Sequence, residues 1–138
     1  MNVCEMSGKP IEELSPHEVG IIGEQVAATF LEKNRGYRIV ERNWHCAYGE
    51  ADIIASDDEA LYFVEVKTRL WSGEAELIYP EIAVNAEKLA RYENIIAAYL
   101  QRFPEPPRAQ FDVAAVVIDK PHHAALHYKP NVSLRDGQ

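Results

Sequence analysis

The chain of 138 residues contains no apolar run near the roughly 20 residues that a membrane-spanning helix needs. Its opening stretch, MNVCEMSGKPIEELS, lacks the apolar centre of a secretory signal. Both absences predict a cytoplasmic location and no membrane partner. Cysteine is scarce: Cys4 and Cys46 show no C-x-x-C spacing, which argues against a disulfide framework or a zinc site. Cys46 reads instead as a small buried apolar residue. There is no internal repeat, and no serine or cysteine nucleophile with a plausible base can be identified. Positive charge is also in short supply, since the net charge of −8 counts against a protein that coats nucleic acid nonspecifically through Lys and Arg. The distribution softens that exclusion. Residues 1–24 hold five glutamates and one lysine, whereas residues 88–138 hold seven Lys or Arg against five Asp or Glu, so a locally basic surface stays open.

What is present is an ordinary globular composition, 47% hydrophobic and 26% charged, in a length suited to one domain. Residues 1–14 are expected to be a flexible acidic lead-in, 15–130 a single domain and 131–138 a frayed end. Ser15-Pro16-His17-Glu18 is a capping box with proline at the first helical position. Ile22, Val26 and Phe30 recur at helical spacing, and Asn34-Arg35-Gly36 supplies a stop, which predicts a first helix over Pro16–Asn34. Gly20 and Gly23 inside it each cost up to about 1 kcal/mol relative to alanine. Two glycines in one turn suggest a close approach to a strand or ligand, although a glycine tolerated on the surface is the simpler account.

Tyr37–Cys46 mixes β-branched and aromatic residues in partial alternation and is the first predicted strand. Residues 70–80, with Gly73 and Pro80, predict a loop. A second helix is predicted over Glu81–Arg102, with Leu89, Tyr92 and Ile96 on one face. Lys88 and Arg91 lie on an adjoining face, where they could contact phosphate or simply be solvated. Phe103-Pro104-Glu105-Pro106-Pro107 ends this helix, and Gln110–Ile118 is a nearly continuous apolar run fit for a strand buried on both faces. A turn over Asp119–His122 leads to a short strand near Ala124–Tyr128. The order helix, three strands, helix, strand, strand predicts an α/β fold with a mixed central sheet of about five strands flanked by helices.

The middle of the chain, Gly49–Arg69, reads as a β-hairpin with an acidic turn, Asp57-Asp58-Glu59, between the apolar runs Ile53-Ile54-Ala55 and Leu61-Tyr62-Phe63-Val64. Period-two alternation puts Leu61, Phe63, Glu65 and Lys67 on one face of the second strand. A turn centred between Asp58 and Glu59 pairs residues whose numbers sum to 117, which sets Asp52 opposite Glu65. Opposed side chains have Cβ atoms roughly 4.5 to 5.5 Å apart, and like charges there are destabilising. A divalent cation would offset the repulsion, as would protonation of one carboxyl. A solvated rim at the strand end is the plainer alternative for Glu65 and Lys67.

Together, Gly20-x-x-Gly23-Glu24, Gly36-Tyr37, Arg42-Asn43, Gly49-Glu50-Ala51-Asp52-Ile53-Ile54, Phe63-Val64-Glu65-Val66-Lys67-Thr68-Arg69, Lys88 and Phe111-Asp112-Val113 resemble the YraN-like family of uncharacterised bacterial proteins. That family has the restriction-endonuclease-like fold of the PD-(D/E)XK nuclease superfamily and is similar to archaeal Holliday-junction resolvases. The resemblance covers roughly Gly20 to Val117, departing at Ala51, where isoleucine is usual, and over residues 70–87. It implies that Asp52 and Glu65 are metal-binding carboxylates for Mg²⁺ or Mn²⁺, and that Glu24 is a further ligand or holds a metal-bound water. Lys67 would orient or activate the attacking water. Lys88, Arg91 and Arg69 are then the candidate contacts to a nucleic-acid backbone. The implied activity is a metal-dependent endonuclease acting on structured or branched DNA. The alternative is a noncatalytic nucleic-acid-binding or assembly module that retains the fold, and an unpaired strand edge would allow a homodimer. His123 and His127 read as surface or core histidines, Trp44 as core, and Trp71 as a residue placed to stack on a base.

Overall fold

A computed structural model describes residues 13–71, 85–119 and 123–133. The first helix, α1, spans Pro16–Asn34 as expected, with the Ser15 hydroxyl accepting from Glu18 N–H and the Glu18 carboxylate accepting from Ser15 N–H, each at 3.1 Å. It is closed by Gly36 in the left-handed region (φ +70°) and by Tyr37 N–H donating to the Leu31 carbonyl at 3.0 Å.

Five strands follow: β1 (Arg38–Cys46), β2 (Gly49–Ser56), β3 (Ala60–Leu70), β4 (Arg108–Ile118) and β5 (Ala124–Lys129). They form one sheet in the order β1-β2-β3-β4-β5, parallel between β3 and β4 and antiparallel elsewhere. The long connection that carries the second helix, α2 (Ala86–Leu100), is what permits the parallel pair. Sequence patterning predicted α2 from Glu81. Asn85, however, is extended and its side chain accepts from Lys88 N–H at 2.8 Å, so the helix starts after this cap. The loop expected over residues 70–80 falls largely on 72–80, outside the described residues, as do the lead-in up to residue 12 and Cys4.

The two helices cover opposite faces. Ala27, Ala28 and Leu31 of α1 pack with Ile53, Ala55, Tyr62, Val64 and Ala114. Tyr92, Ile95 and Tyr99 of α2 pack with Ile54, Phe63, Phe111 and Val113. Strand β4 is buried from Phe111 to Ile118, as its unbroken apolar run requires of a strand covered on both sides. This is the five-stranded mixed sheet flanked by helices of the restriction-endonuclease-like fold.

Of the end segment 131–138, residues 131–133 are described. Asn131 N–H donates to Asp112 Oδ1 at 2.8 Å, Val132 N–H donates to the Phe111 carbonyl at 2.7 Å, and the Val132 side chain is buried. A single apolar side chain and two backbone bonds tie this segment down, a signal too short for periodicity to reveal.

Candidate functional site

The hairpin register is the one its turn dictates. Ser56 pairs with Leu61, Ala55 with Tyr62, Ile54 with Phe63 and Ile53 with Val64, and Asp57 accepts from Glu59 and Ala60 N–H at 2.8 and 3.0 Å to fix the turn. The pairing stops at Ile53 and Val64, so Asp52 and Glu65 lie just past its end and are not ladder partners. In place of a ladder bond, Asp52 Oδ2 accepts from Val66 N–H at 2.8 Å.

The backbone one strand away is irregular as well. Asn43 has a left-handed backbone (φ +50°), and the pairs Arg42 with Ile53 and Trp44 with Ala51 bracket it opposite Asp52. Ile53 packs beneath α1 whereas Ala51, two residues earlier, packs beneath α2. Regular alternation would put both on one face. The break falls at Asp52, whose carboxylate meets the Val66 N–H of β3 instead.

Glu24 reaches the same region because Gly23, lacking a side chain, lets α1 close onto Thr68 of β3. A Cβ on Gly23 would sit 1.8 Å from Thr68 Oγ1, so only glycine allows this approach. Gly20 meets nothing within 4 Å and is the surface glycine of the simpler account. Oriented so that its nitrogen faces the carboxylates, the Asn43 amide donates to Glu24 Oε1 at 3.2 Å and Glu50 Oε1 at 3.1 Å.

Electrostatics confirm that these acids share one field. Burial pushes the Asp52 carboxyl up to about 7, and the charges of Glu24, Glu65 and Glu50 add to it against the hydrogen bond from Val66. Burial and Glu50 also raise Glu24, opposed by Asn43, Arg42 and His17. The Tyr92 hydroxyl is raised by burial and then by the charges of Glu65 and Asp52.

Glu65 and Lys67 share a face of β3, as predicted, and Arg69 lies two positions farther on, partly exposed. Lys88 and Arg91 do not form a separate basic face. Lys88 Nζ lies 2.7 Å from Glu65 Oε2, and Arg91 Nη2 lies 3.7 Å from Oε1. Among the described residues, no three His, Cys, Asp or Glu side chains are gathered tightly enough to hold a metal ion unaided. Mg²⁺ requires less than that, since one or two carboxylates suffice when water and phosphate complete the shell. Asp52 and Glu65 are the oxygen donors that could hold such an ion, with ionisation of Asp52 suppressed first by burial and then by Glu24, Glu65 and Glu50.

Outside this region, Trp44 packs edge-on against Tyr99 with centroids 5.1 Å apart, in agreement with its predicted core role, and Cys46 packs against the same cluster. His123 pairs with Asp119, and His127 lies in β5. Trp71 N–H donates to the Ile118 carbonyl at 3.0 Å and so prolongs the β3–β4 pairing. Sequence reasoning missed Glu50, Asn43 and Tyr92. Glu50 stands two residues from Asp52, and Tyr92 follows Lys88 by four on one helical face, but Tyr92 was indistinguishable from a core aromatic. Asn43 carried no signal except that asparagine tolerates positive φ.

Comparison with known proteins places this geometry in a family. The model of the uncharacterised protein family UPF0102 matches residues 23–116, a span that contains Glu24, Asp52, Glu65, Lys67, Lys88 and Arg91. A UPF0102 protein of Geobacter sulfurreducens is 38% identical over 125 residues, covering 88% of this chain and 94% of the relative. One from Syntrophus aciditrophicus is 46% identical over 98 residues, covering 70% and 74%, and one from Syntrophomonas wolfei is 38% identical over 103 residues, covering 74% and 86%. The chain belongs to UPF0102, the YraN-like group that its motifs resemble.

Proposed function

We propose that this protein is a Mg²⁺- or Mn²⁺-dependent endonuclease that hydrolyses phosphodiester bonds in structured or branched DNA. The observation that carries the reading is Asp52: a partly buried carboxyl, turned by a broken strand alternation toward Glu24 and Glu65 and pushed up to about 7 by burial and by their charge. A protein that only needed a stable strand end would have no use for this arrangement, whereas perturbed carboxylates gathered at a sheet opening are a functional signature.

Asp52, Glu65 and Glu24 would hold the ion, which when bound lowers the pKa of water and screens the charge of the scissile phosphate. Lys67, on the Glu65 face of β3, orients the water and offsets negative charge accumulating on the phosphate oxygens. Val66 N–H fixes the Asp52 carboxylate through its 2.8 Å hydrogen bond, and Asn43 holds Glu24 and Glu50. Arg69, Lys88 and Arg91 supply the positive charge that the chain as a whole lacks. The preference for branched DNA rests on the resemblance to junction resolvases.

One observation favours the noncatalytic alternative. Glu65 already has cationic partners in Lys88 and Arg91, so its charge is balanced without a metal. Cleavage of duplex, flap and four-way-junction DNA with Mg²⁺ or Mn²⁺, with Asp52→Ala as control, decides between the two. The nuclease reading expects cleavage that needs the metal and falls to background in the variant. Cleavage surviving at the wild-type rate would remove Asp52 from the site, and none on any substrate would favour the binding module.

A further inference from the structure

The ion pair between Lys88 and Glu65 is fixed by the fold. Asn85 caps α2 at the N–H of Lys88 itself. One turn on, Tyr92 is buried and stacks on Phe111 with centroids 4.1 Å apart, and Ile95 is fully buried. Gly49, at φ +138°, admits the Arg91 stem, since a Cβ there would lie 3.3 Å from Arg91 Cδ. The first turns of α2 are thus clamped over the end of β2 and the middle of β3. Both oxygens of Glu65 meet a cation, Oε2 at 2.7 Å and Oε1 at 3.7 Å, and the glutamate side chain is only 13% exposed.

We propose that Lys88, supported by Arg91, is the resident counter-ion of Glu65: a positioning residue that aims this carboxylate before a divalent cation arrives and gives it up when one binds. The proposal rests on the nuclease reading of the site and adds a coupling to it. A divalent cation on Glu65 and an ammonium already in contact with it repel each other strongly, so they compete for the same oxygens. A DNA phosphate relieves the conflict, because it offers Lys88 and Arg91 a new anionic partner. Cation and DNA therefore bind cooperatively, and by linkage each tightens the other by the same factor.

The test uses calorimetric titration of Mn²⁺ into the full chain, and anisotropy of a labelled DNA duplex with and without Ca²⁺. Lys88→Met, which keeps the stem and removes the charge, is expected to bind Mn²⁺ about fivefold or more tightly than the wild type. In the same variant, the cation-induced gain in DNA affinity shrinks toward none. Lys88→Arg, which preserves the counter-ion, is expected to follow the wild type in both. If Lys88→Met binds Mn²⁺ no more tightly while Asp52→Ala still abolishes binding, the counter-ion role is overturned and the nuclease site stands. If Mn²⁺ binding is absent from every form, or indifferent to Asp52→Ala, the nuclease reading fails and this inference falls with it.

Discussion

Asp52 and Asp112 are both aspartates in the interior of one sheet, and their surroundings are opposite. Asp112, fully buried in β4, accepts from Gln110 Nε2 at 2.9 Å, from Asn131 N–H at 2.8 Å and from the Tyr128 hydroxyl. Asp52, at the break in β2, has one hydrogen bond from the described residues and three carboxylates for neighbours. A carboxylate saturated with donors is a structural fastener, here tying β5 and the segment after it to the centre of the sheet. A carboxylate held among like charges is strained when ionised, and a proton or a bound cation relieves that strain.

The contrast can be broken most forcefully at the fastener. Asp112→Ala leaves the Tyr128 hydroxyl and the Asn131 amide without their acceptor and opens a cavity, and should cost about 3 kcal/mol or more in urea denaturation. Mn²⁺ affinity of the folded protein should be unchanged. A variant as stable as the wild type would show that Asp112 is no fastener.

Asp52 should behave in the opposite sense. Its folded-state pKa, raised from 3.8 to about 7, means the folded protein holds a proton that the unfolded chain releases. In the absence of divalent cations its contribution is complete below about pH 4 and is lost as the pH rises through about 7. Above that pH, Asp52→Asn should be more stable than the wild type by about 2 to 4 kcal/mol, with no difference at pH 3. Denaturation curves in EDTA across this window check it, and a wild type that gains stability over Asp52→Asn as pH rises would reverse the assignment.

Smaller effects separate the two glycines that carry Glu24. Gly23→Ala forces α1 away from Thr68 and should cost about 1 to 3 kcal/mol while weakening Mn²⁺ binding, because Glu24 moves with the helix. Gly20→Ala meets no atom within 4 Å and should stabilise α1 by up to about 1 kcal/mol, leaving Mn²⁺ affinity alone. Equal effects at the two positions would mean that the approach of α1 to β3 does not set the site.

Much of this architecture was legible because it is written in local signals. The Ser15 capping box, the acidic turn at Asp57–Glu59 and the unbroken apolar run of β4 each specify an element through neighbours in sequence, and the hairpin register followed from the turn alone. The limits have physical causes. Alternation was extrapolated through Asp52, where it breaks opposite the left-handed Asn43. Lys88 and Arg91 were placed on the correct helix but could not be aimed, since their partner Glu65 lies in β3, 23 residues before Lys88. Tyr92 and Val132 looked like any other apolar positions, because burial next to a charge and burial in a core leave the same residue type behind. The resemblance supplied Glu24, which periodicity alone placed merely off the apolar stripe of α1.

The left-handed backbone at Asn43 narrows what natural variation can place there. Glycine would accept the φ angle at no cost but would remove the amide that bridges Glu24 and Glu50. Aspartate would tolerate it too, yet would add another negative charge to a neighbourhood that already has an excess. Valine or isoleucine would favour regular strand geometry and swing Asp52 back toward one face of the sheet. Asparagine alone among these meets both the backbone and the charge requirement, so a single codon on an exposed strand carries two constraints at once.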